Sequence, residues 1–359
     1  MKHNERLKKE TNRHQGCPAG RLVLIGCLAL FAGCSGAAPT ATTDGPASGD
    51  SPIAVQLNWY PEVEHGGVYQ AVADGTYEAA GLDVEIRPGG RATPVGPELL
   101  RGRSQFAITN ADDVVLFRAQ GADIVAVLAA VQDHPRCLLV RADSGVKSFD
   151  DLGGMTLQRQ AGRPFLTFLE RRGLLDGVLQ VPYHNSVAAM VTDPKVAVQA
   201  YSIAEPLLAE QQGLEVRTLM VSELGWNPYS SVLVTTGELI RSEPEKVARF
   251  VEATRRGWQA YFENAAAGNA AILAANQHGM TAEVLKFGSE QMRPLAMPEA
   301  DPQTLGQMEL ERWQQLVDQM VELELISAGS VDPQQCFTKK FLADSAAPVS
   351  HANPKSPES

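Results

Sequence analysis

The stretch from Gln56 to Ala71 gathers side chains suited to holding a ligand: Asn58, Trp59, Tyr60, Glu62, Glu64, His65 and Tyr69, punctuated by Pro61 and closed by Gly66 and Gly67. Flat aromatic faces such as Trp59 and Tyr60 suit a planar heterocycle or a cation. Further along, the carboxylate of Glu205 can accept hydrogen bonds from a ring amine. Each candidate also has a purely structural use. Trp59 can bury its indole beneath a following helix, His65 can cap that helix, and Glu62 and Glu64 read as solvated acids. Asp112 and Asp113 precede an apolar run, where either suits a helix N-cap. One imidazole beside two acids lacks metal-ligand spacing, so no metal is expected. Gln160 to Pro164 follows a strand and opens a helix, yet without a phosphate-loop lysine it reads as a plain turn more than as an anion site. Neither a nucleophile elbow nor a two-histidine metal motif is present, and no cofactor is expected.

The elements that must position these residues follow an α/β pattern. Val55, Leu57 and Trp59 alternate as a strand; the pattern then predicts a helix over 68–79, a strand through Leu82, Val84 and Ile86, a helical turn over 98–101 and a strand over 106–109. A helix over 112–120 and a fully buried strand over 124–131 complete a βαβαβαβ order, the signature of a mostly parallel sheet with helices on both faces. Strand patterns at 137–140, 155–157, 178–181, 196–201, 216–221 and 232–234 imply a second such unit. Ligands bind at the carboxyl ends of strands in these folds, which is where Asn58 to His65 would lie. Ser242-Glu243-Pro244-Glu245 reads as a capping box opening a helix whose apolar stripe, including Phe250, Trp258 and Tyr261, is core. A late helix over 310–323 carries a similar stripe.

With 359 residues, 44% of them hydrophobic, the chain can bury two cores. Its start reads as an export signal: six Lys/Arg lie within residues 1–33, and the apolar run Leu22 to Phe31 is half of what spans a bilayer. Ala32-Gly33-Cys34 looks like the end of a bacterial lipobox, with Phe31 where Leu is usual. Residues 1–33 are thus expected to be cleaved and Cys34 acylated, anchoring the protein to a membrane surface. Residues 34–51 read as a flexible tether and 343–359 as a disordered tail. Setting aside the six basic and two acidic side chains of the leader takes the formal charge from −11 to −15, which argues against nucleic acid as a partner. Past Cys34 only Cys137 and Cys336 remain, and spacing leaves their pairing open.

Asn58-Trp59-x-Pro61-x-x-x-His65-x-Gly67-x-Tyr69, followed by Gly75-x-Tyr77-x-x-x-Gly81-Leu82-x-Val84, resembles the opening of the bacterial solute-binding proteins for thiamine pyrimidine precursors, alkanesulfonates and related small ligands. Asp150-Asp151-Leu152-Gly153-Gly154-Met155, Glu205-Pro206 and Asn227-Pro228-Tyr229 continue the resemblance, which covers about residues 53–270. It implies a two-lobed type II periplasmic binding protein, each lobe a mostly parallel sheet flanked by helices. Lobe 1 would comprise 52–133, completed by about 231–342, and lobe 2 would comprise 134–230, with crossovers near 133–136 and 226–229. By the same resemblance Asn58, Trp59, Tyr60, His65 and Tyr69 line one wall of the cleft, Asn110 and Asp112 lie beside them, and Glu205, Trp226 and Tyr229 face them.

The implied function is that of a lipid-anchored, extracytoplasmic, monomeric component of an ABC importer, which passes a small ligand to permease and ATPase subunits. Aromatic and acidic candidates favour a pyrimidine precursor over a sulfonate, while Arg91, Arg159 and Arg163 keep an anion open. A ligand sensor without a transporter is the other class of function. Eukaryotic pyrimidine synthases of this fold consume a Lys and a His that follow the third strand and carry a Cys-rich motif. Here those places read Ile108 to Val114 and Gly225 to Ser231, without Lys, His or Cys, so no enzyme is expected.

Overall fold

Among residues 52–342, which this computed structural model describes, ten strands form two five-stranded sheets. The export signal, the tether over 34–51 with Cys34, and the C-terminal tail over 343–359 lie outside the described residues. The first sheet contains β1 (Ile53–Gln56), β2 (Val84–Arg87), β3 (Phe106–Thr109), β4 (Ile124–Val131) and β10 (Ser230–Thr236), in the order β2-β1-β3-β10-β4. The second contains β5 (Arg136–Arg141), β6 (Thr156–Arg159), β7 (Leu179–Pro182), β8 (Val196–Tyr201) and β9 (Val216–Met220), in the order β7-β6-β8-β5-β9. Between strands lie α1 (Gly66–Ala73), α2 (Thr76–Ala79), α3 (Val95–Leu100), α4 (Ala111–Ala119), α5 (Pro164–Arg171), α6 (Ala188–Thr192) and α7 (Glu205–Glu210). After β10 come α8 (Gly237–Ser242), α9 (Pro244–Glu263), α10 (Ala266–Ala275), α11 (Ala282–Ala296) and α12 (Leu310–Glu322).

Four strands of each sheet point one way and one runs against them, so the sheets are mixed. The reversed strands are β10, antiparallel to β3 and β4, and β5, antiparallel to β8 and β9. Both are the first strand after the chain passes from one sheet to the other. Each therefore enters its sheet from the shared side, against the direction that βαβ units lay down.

Two helix expectations fail for local reasons. The helix predicted over 68–79 is broken, because Gly75 adopts φ 75°, a left-handed conformation that stops α1 and restarts the chain as α2. Ser242 is not a cap: it is the last residue of α8, and its hydroxyl donates to the Glu238 carbonyl at 3.0 Å. Helix α9 begins instead at Pro244, whose fixed φ and missing N–H suit a first turn.

Helix α9 buries its stripe against the first sheet and α1. Phe250 stacks on Phe106, with ring centroids 3.9 Å apart, and on Tyr77 at 5.0 Å. Full burial of such a side chain contributes about 1.5–3 kcal/mol. A Cβ on Gly67 would fall inside the Trp258 indole, and one on Gly257 would strike the Gly67 carbonyl. The glycines that close the Gln56 to Ala71 stretch thus serve contact between α1 and α9, which fixes where the preceding loop must end.

The chain passes between the sheets at 132–135 and again at 221–229. Asn227 staples the passages together: its Oδ1 accepts from the His134 N–H and its Nδ2 donates to Asp133 Oδ1, both at 2.8 Å. Arg312 adds bonds to the carbonyls of Gln132 at 2.7 Å and Asn227 at 2.9 Å. Cys137 and Cys336 are buried free thiols in separate cores.

Candidate functional site

Loops at the carboxyl ends of the parallel strands converge on a cavity lined mainly by polar and aromatic side chains. One wall comes from the loop after β1, with Asn58, Trp59, Glu62 and Glu64, and from Asn110 after β3. The other comes from the second sheet. Arg136 opens β5, Gln160 and Arg163 follow β6, Tyr183 and Asn185 follow β7, and Gln199, Tyr201 and Glu205 end β8 or open α7.

His65 is wholly buried behind this wall. The Glu62 N–H donates to its Nδ1 at 3.3 Å, which leaves Nε2–H to donate to Asn58 Oδ1 at 3.1 Å. Burial pulls the imidazole down to about 3, so it stays neutral and holds that tautomer. It does not line the cavity itself and instead holds the Asn58 amide that does. Asn110 is aimed in the same way, accepting from the Ser230 hydroxyl at 2.9 Å and donating to the Tyr201 hydroxyl at 3.4 Å.

The acids are not solvated. A short 3-10 turn over Val63–His65 tucks Glu62 and Glu64 inward, and Glu64 is 7% exposed. Burial first, and the charge of Glu205 second among the raising influences, lift Glu64 to about 7 despite its own backbone hydrogen bond and Arg136. Glu62 is lifted well above the ordinary carboxylate range by burial and by the charges of Glu64 and Glu205. Glu205 is lifted by burial too, although its Oε1 accepts from the Tyr183 hydroxyl at 3.0 Å and its Oε2 from the Tyr201 N–H at 2.9 Å. A signal for buried acids was available in the sequence: no Lys or Arg lies between residues 52 and 86 to pair with Glu62 and Glu64.

Of the residues that the resemblance assigns to the cleft, Asn58, Trp59, Asn110 and Glu205 reach the cavity, as do Glu62, Glu64 and Arg163 among the other residues singled out from the sequence. Tyr60 turns to the rim and packs on His278, ring centroids 3.8 Å apart. Tyr69 lies on α1 and is buried in the core. Asp112 is buried in the first turn of α4, raised to about 7 by burial and by Asp113. Its neighbour Asp113 makes the contact across the cleft instead, accepting from the Thr109 hydroxyl at 2.8 Å and from Arg163 at 3.4 Å. Trp226 and Tyr229 do not face the cavity. Trp226 packs on Phe168 at 5.5 Å, while Tyr229 lies under Arg312 at 3.9 Å and its hydroxyl accepts from the Glu309 N–H at 2.9 Å. The chain between the sheets is enclosed on both sides, so its aromatics become core. Arg136, Tyr183, Asn185, Gln199 and Tyr201 escape a motif-based reading, although each sits at or beside a strand end on the ligand side of the sheet.

No helix among the described residues is long and apolar enough to cross a membrane. The family described as NMT1/THI5 like matches residues 62–267. The riboflavin-binding protein RibY of Chloroflexus aurantiacus is 25% identical over 263 residues, spanning 66% of this chain and 73% of that protein. A formylaminopyrimidine-binding protein of Halalkalibacterium halodurans is 24% identical over 224 residues, 59% of this chain and 67% of that one. The periplasmic aliphatic sulphonate binding protein SsuA of Escherichia coli superposes with a TM-score of 0.60 over 80% of this chain and 92% of that one, at 18% identity. That likeness establishes the periplasmic binding protein fold.

Proposed function

The chain belongs to the NMT1/THI5 like family, and from that membership we propose that it is the extracytoplasmic solute-binding component of an ABC importer, capturing a small amino-bearing heterocycle between two lobes. The observation that carries this reading is the convergence of Glu62, Glu64 and Glu205 on one cavity with the rings of Trp59, Tyr183 and Tyr201. Carboxylates accept the N–H groups of an aminopyrimidine, and aromatic rings cover its faces. A sulfonate would have to compete with Asp113 for Arg163, leaving Arg136 as the cavity guanidinium open to it, and would offer no N–H donor to Glu62, Glu64 or Glu205. Relatives named for riboflavin and for formylaminopyrimidine support a heterocycle. A thiamine pyrimidine precursor matches the carboxylates better than a flavin does, because the flavin ring edge offers mainly carbonyl acceptors.

In this reading the lobes open about the passages stapled by Asn227 and close on the ligand, and the closed form is what a permease recognises. Acylated Cys34 would keep the protein near that permease. Binding without chemistry is supported by the segments 108–114 and 225–231, which lack the Lys, His and Cys of the pyrimidine synthases. Titration calorimetry with formylaminopyrimidine, riboflavin and an alkanesulfonate tests the proposal. Saturable one-to-one binding of the pyrimidine is expected, weakened at least about tenfold in Trp59→Ala and Glu205→Gln. Binding of the sulfonate alone, or recovery of a chemically altered pyrimidine, would contradict it.

A further inference from the structure

Arg136 stands apart from the other groups of the cavity. Its backbone N–H donates to His134 Nδ1 at 3.0 Å, but among the described residues its guanidinium forms no ion pair and donates no hydrogen bond. Arg163, the other cavity guanidinium, is tied to Asp113 at 3.4 Å and to Gln160 Oε1 at 3.3 Å. The acids do not satisfy Arg136 either, since Glu205 commits its oxygens to Tyr183 and Tyr201. What holds Arg136 is cation–π contact: its guanidinium carbon lies over the Tyr201 ring, 4.2 Å from the centroid, and 5.2 Å from that of Phe165. Ring contact restrains the guanidinium without using its N–H donors, which stay available to an acceptor.

Resting on the solute-binding reading above, we infer that Arg136 is the specificity-determining residue of the cavity, selecting a ligand that joins an amino-bearing ring to a carbonyl oxygen over the same ring bearing a free amine. A carbonyl accepts a charge-assisted hydrogen bond from the unpaired guanidinium. A free amine is protonated near neutral pH, meets Arg136 as a like charge and leaves its donors unpaired. Sites built to hydrogen-bond one group discriminate strongly against analogues that lack it.

The test compares formylaminopyrimidine with its deformylated amine, by calorimetry on the wild-type protein and on Arg136→Met, Arg136→Gln and Arg136→Lys. Wild type should prefer the formylated compound by about tenfold to a hundredfold. Arg136→Met and Arg136→Gln should abolish that preference by weakening the formylated compound alone, with the amine bound as well or better. Arg136→Lys should keep part of it. Thermal unfolding of the unliganded variants separates recognition from folding, and Arg136→Gln serves if Arg136→Met fails to fold. Equal losses for both compounds, or a preference that survives in Arg136→Gln, would overturn the inference while leaving the binding function standing. A wild-type protein that binds neither compound would overturn both.

Discussion

Trp59-Tyr60-Pro61, just after β1, and Trp226-Asn227-Pro228-Tyr229, just before β10, share an aromatic, proline-broken character, and both follow or precede a strand of the first sheet. The first segment leaves a parallel strand at its carboxyl end and is stopped by the glycines that seat α1 on α9. Its side chains are left facing the opposite lobe, and Trp59, Glu62 and Glu64 line the cavity. The second segment lies in the passage between the sheets, where Asn227 and Arg312 satisfy its backbone and its neighbours. Trp226 and Tyr229 are each 2% exposed. The same residue types line a cavity in one place and pack into the passage between the sheets in the other, and what decides between them is whether the backbone ends at a sheet edge or crosses between two cores.

Substitution should break the two segments in different currencies. Trp226→Ala removes a buried indole and is expected to cost about 3–5 kcal/mol of stability in urea unfolding, with ligand affinity of the folded fraction unchanged. Lost affinity at retained stability would mean that Trp226 faces the ligand after all. Trp59→Ala should do the reverse, weakening the ligand by about tenfold to a hundredfold while unliganded stability moves by less than about 1 kcal/mol. Asn227→Ala leaves the His134 N–H without its acceptor and should cost about 1–3 kcal/mol; a stability indistinguishable from wild type would show that the staple contributes nothing.

The finest distinction is pH, because residues 226–229 carry no carboxylate while residues 59–65 carry two, Glu62 and Glu64. Glu64 sits at about 7 in the folded protein against an ordinary 4.5. Through Glu64 the native state binds more protons than the unfolded chain within that window, so this contribution to unliganded stability falls as pH rises and then levels off, while His65, lowered to about 3, contributes the opposite slope up to its ordinary 6.5. Asp112, also at about 7, acts with the same sign as Glu64. Thermal melts across the range should show this slope reduced in Glu64→Gln and unaltered in Tyr229→Phe.

Much of the architecture can be read from alternation and apolar runs, because Val55, Phe106 and Ile124 to Val131 are spaced as buried strands and lie in the sheet. Strand direction is another matter. The reversal of β5 and β10 depends on which side the chain enters after changing sheets, and no local pattern carries that. Asn58, Trp59, Asn110 and Glu205 stand out because each follows a clear strand at its ligand end. Trp226 and Tyr229 mislead because an aromatic in a loop looks the same whether or not a second core lies over it. Arg136 gives no local sign, since its meaning comes from Tyr201 and Phe165, brought to it by β8 and α5. Ser242 matches a capping pattern, but α8 has already used that residue.

Native mass spectrometry of the protein purified directly from its own cells, with the released small molecule identified after denaturation, tests the central claim most directly. The prediction is one amino-bearing heterocycle per chain, carried by wild type and by Tyr229→Phe and missing from Trp59→Ala and Glu205→Gln. A heterocycle carried undiminished by Trp59→Ala and Glu205→Gln would contradict it, as would a wild-type protein that is empty and takes up neither formylaminopyrimidine nor riboflavin.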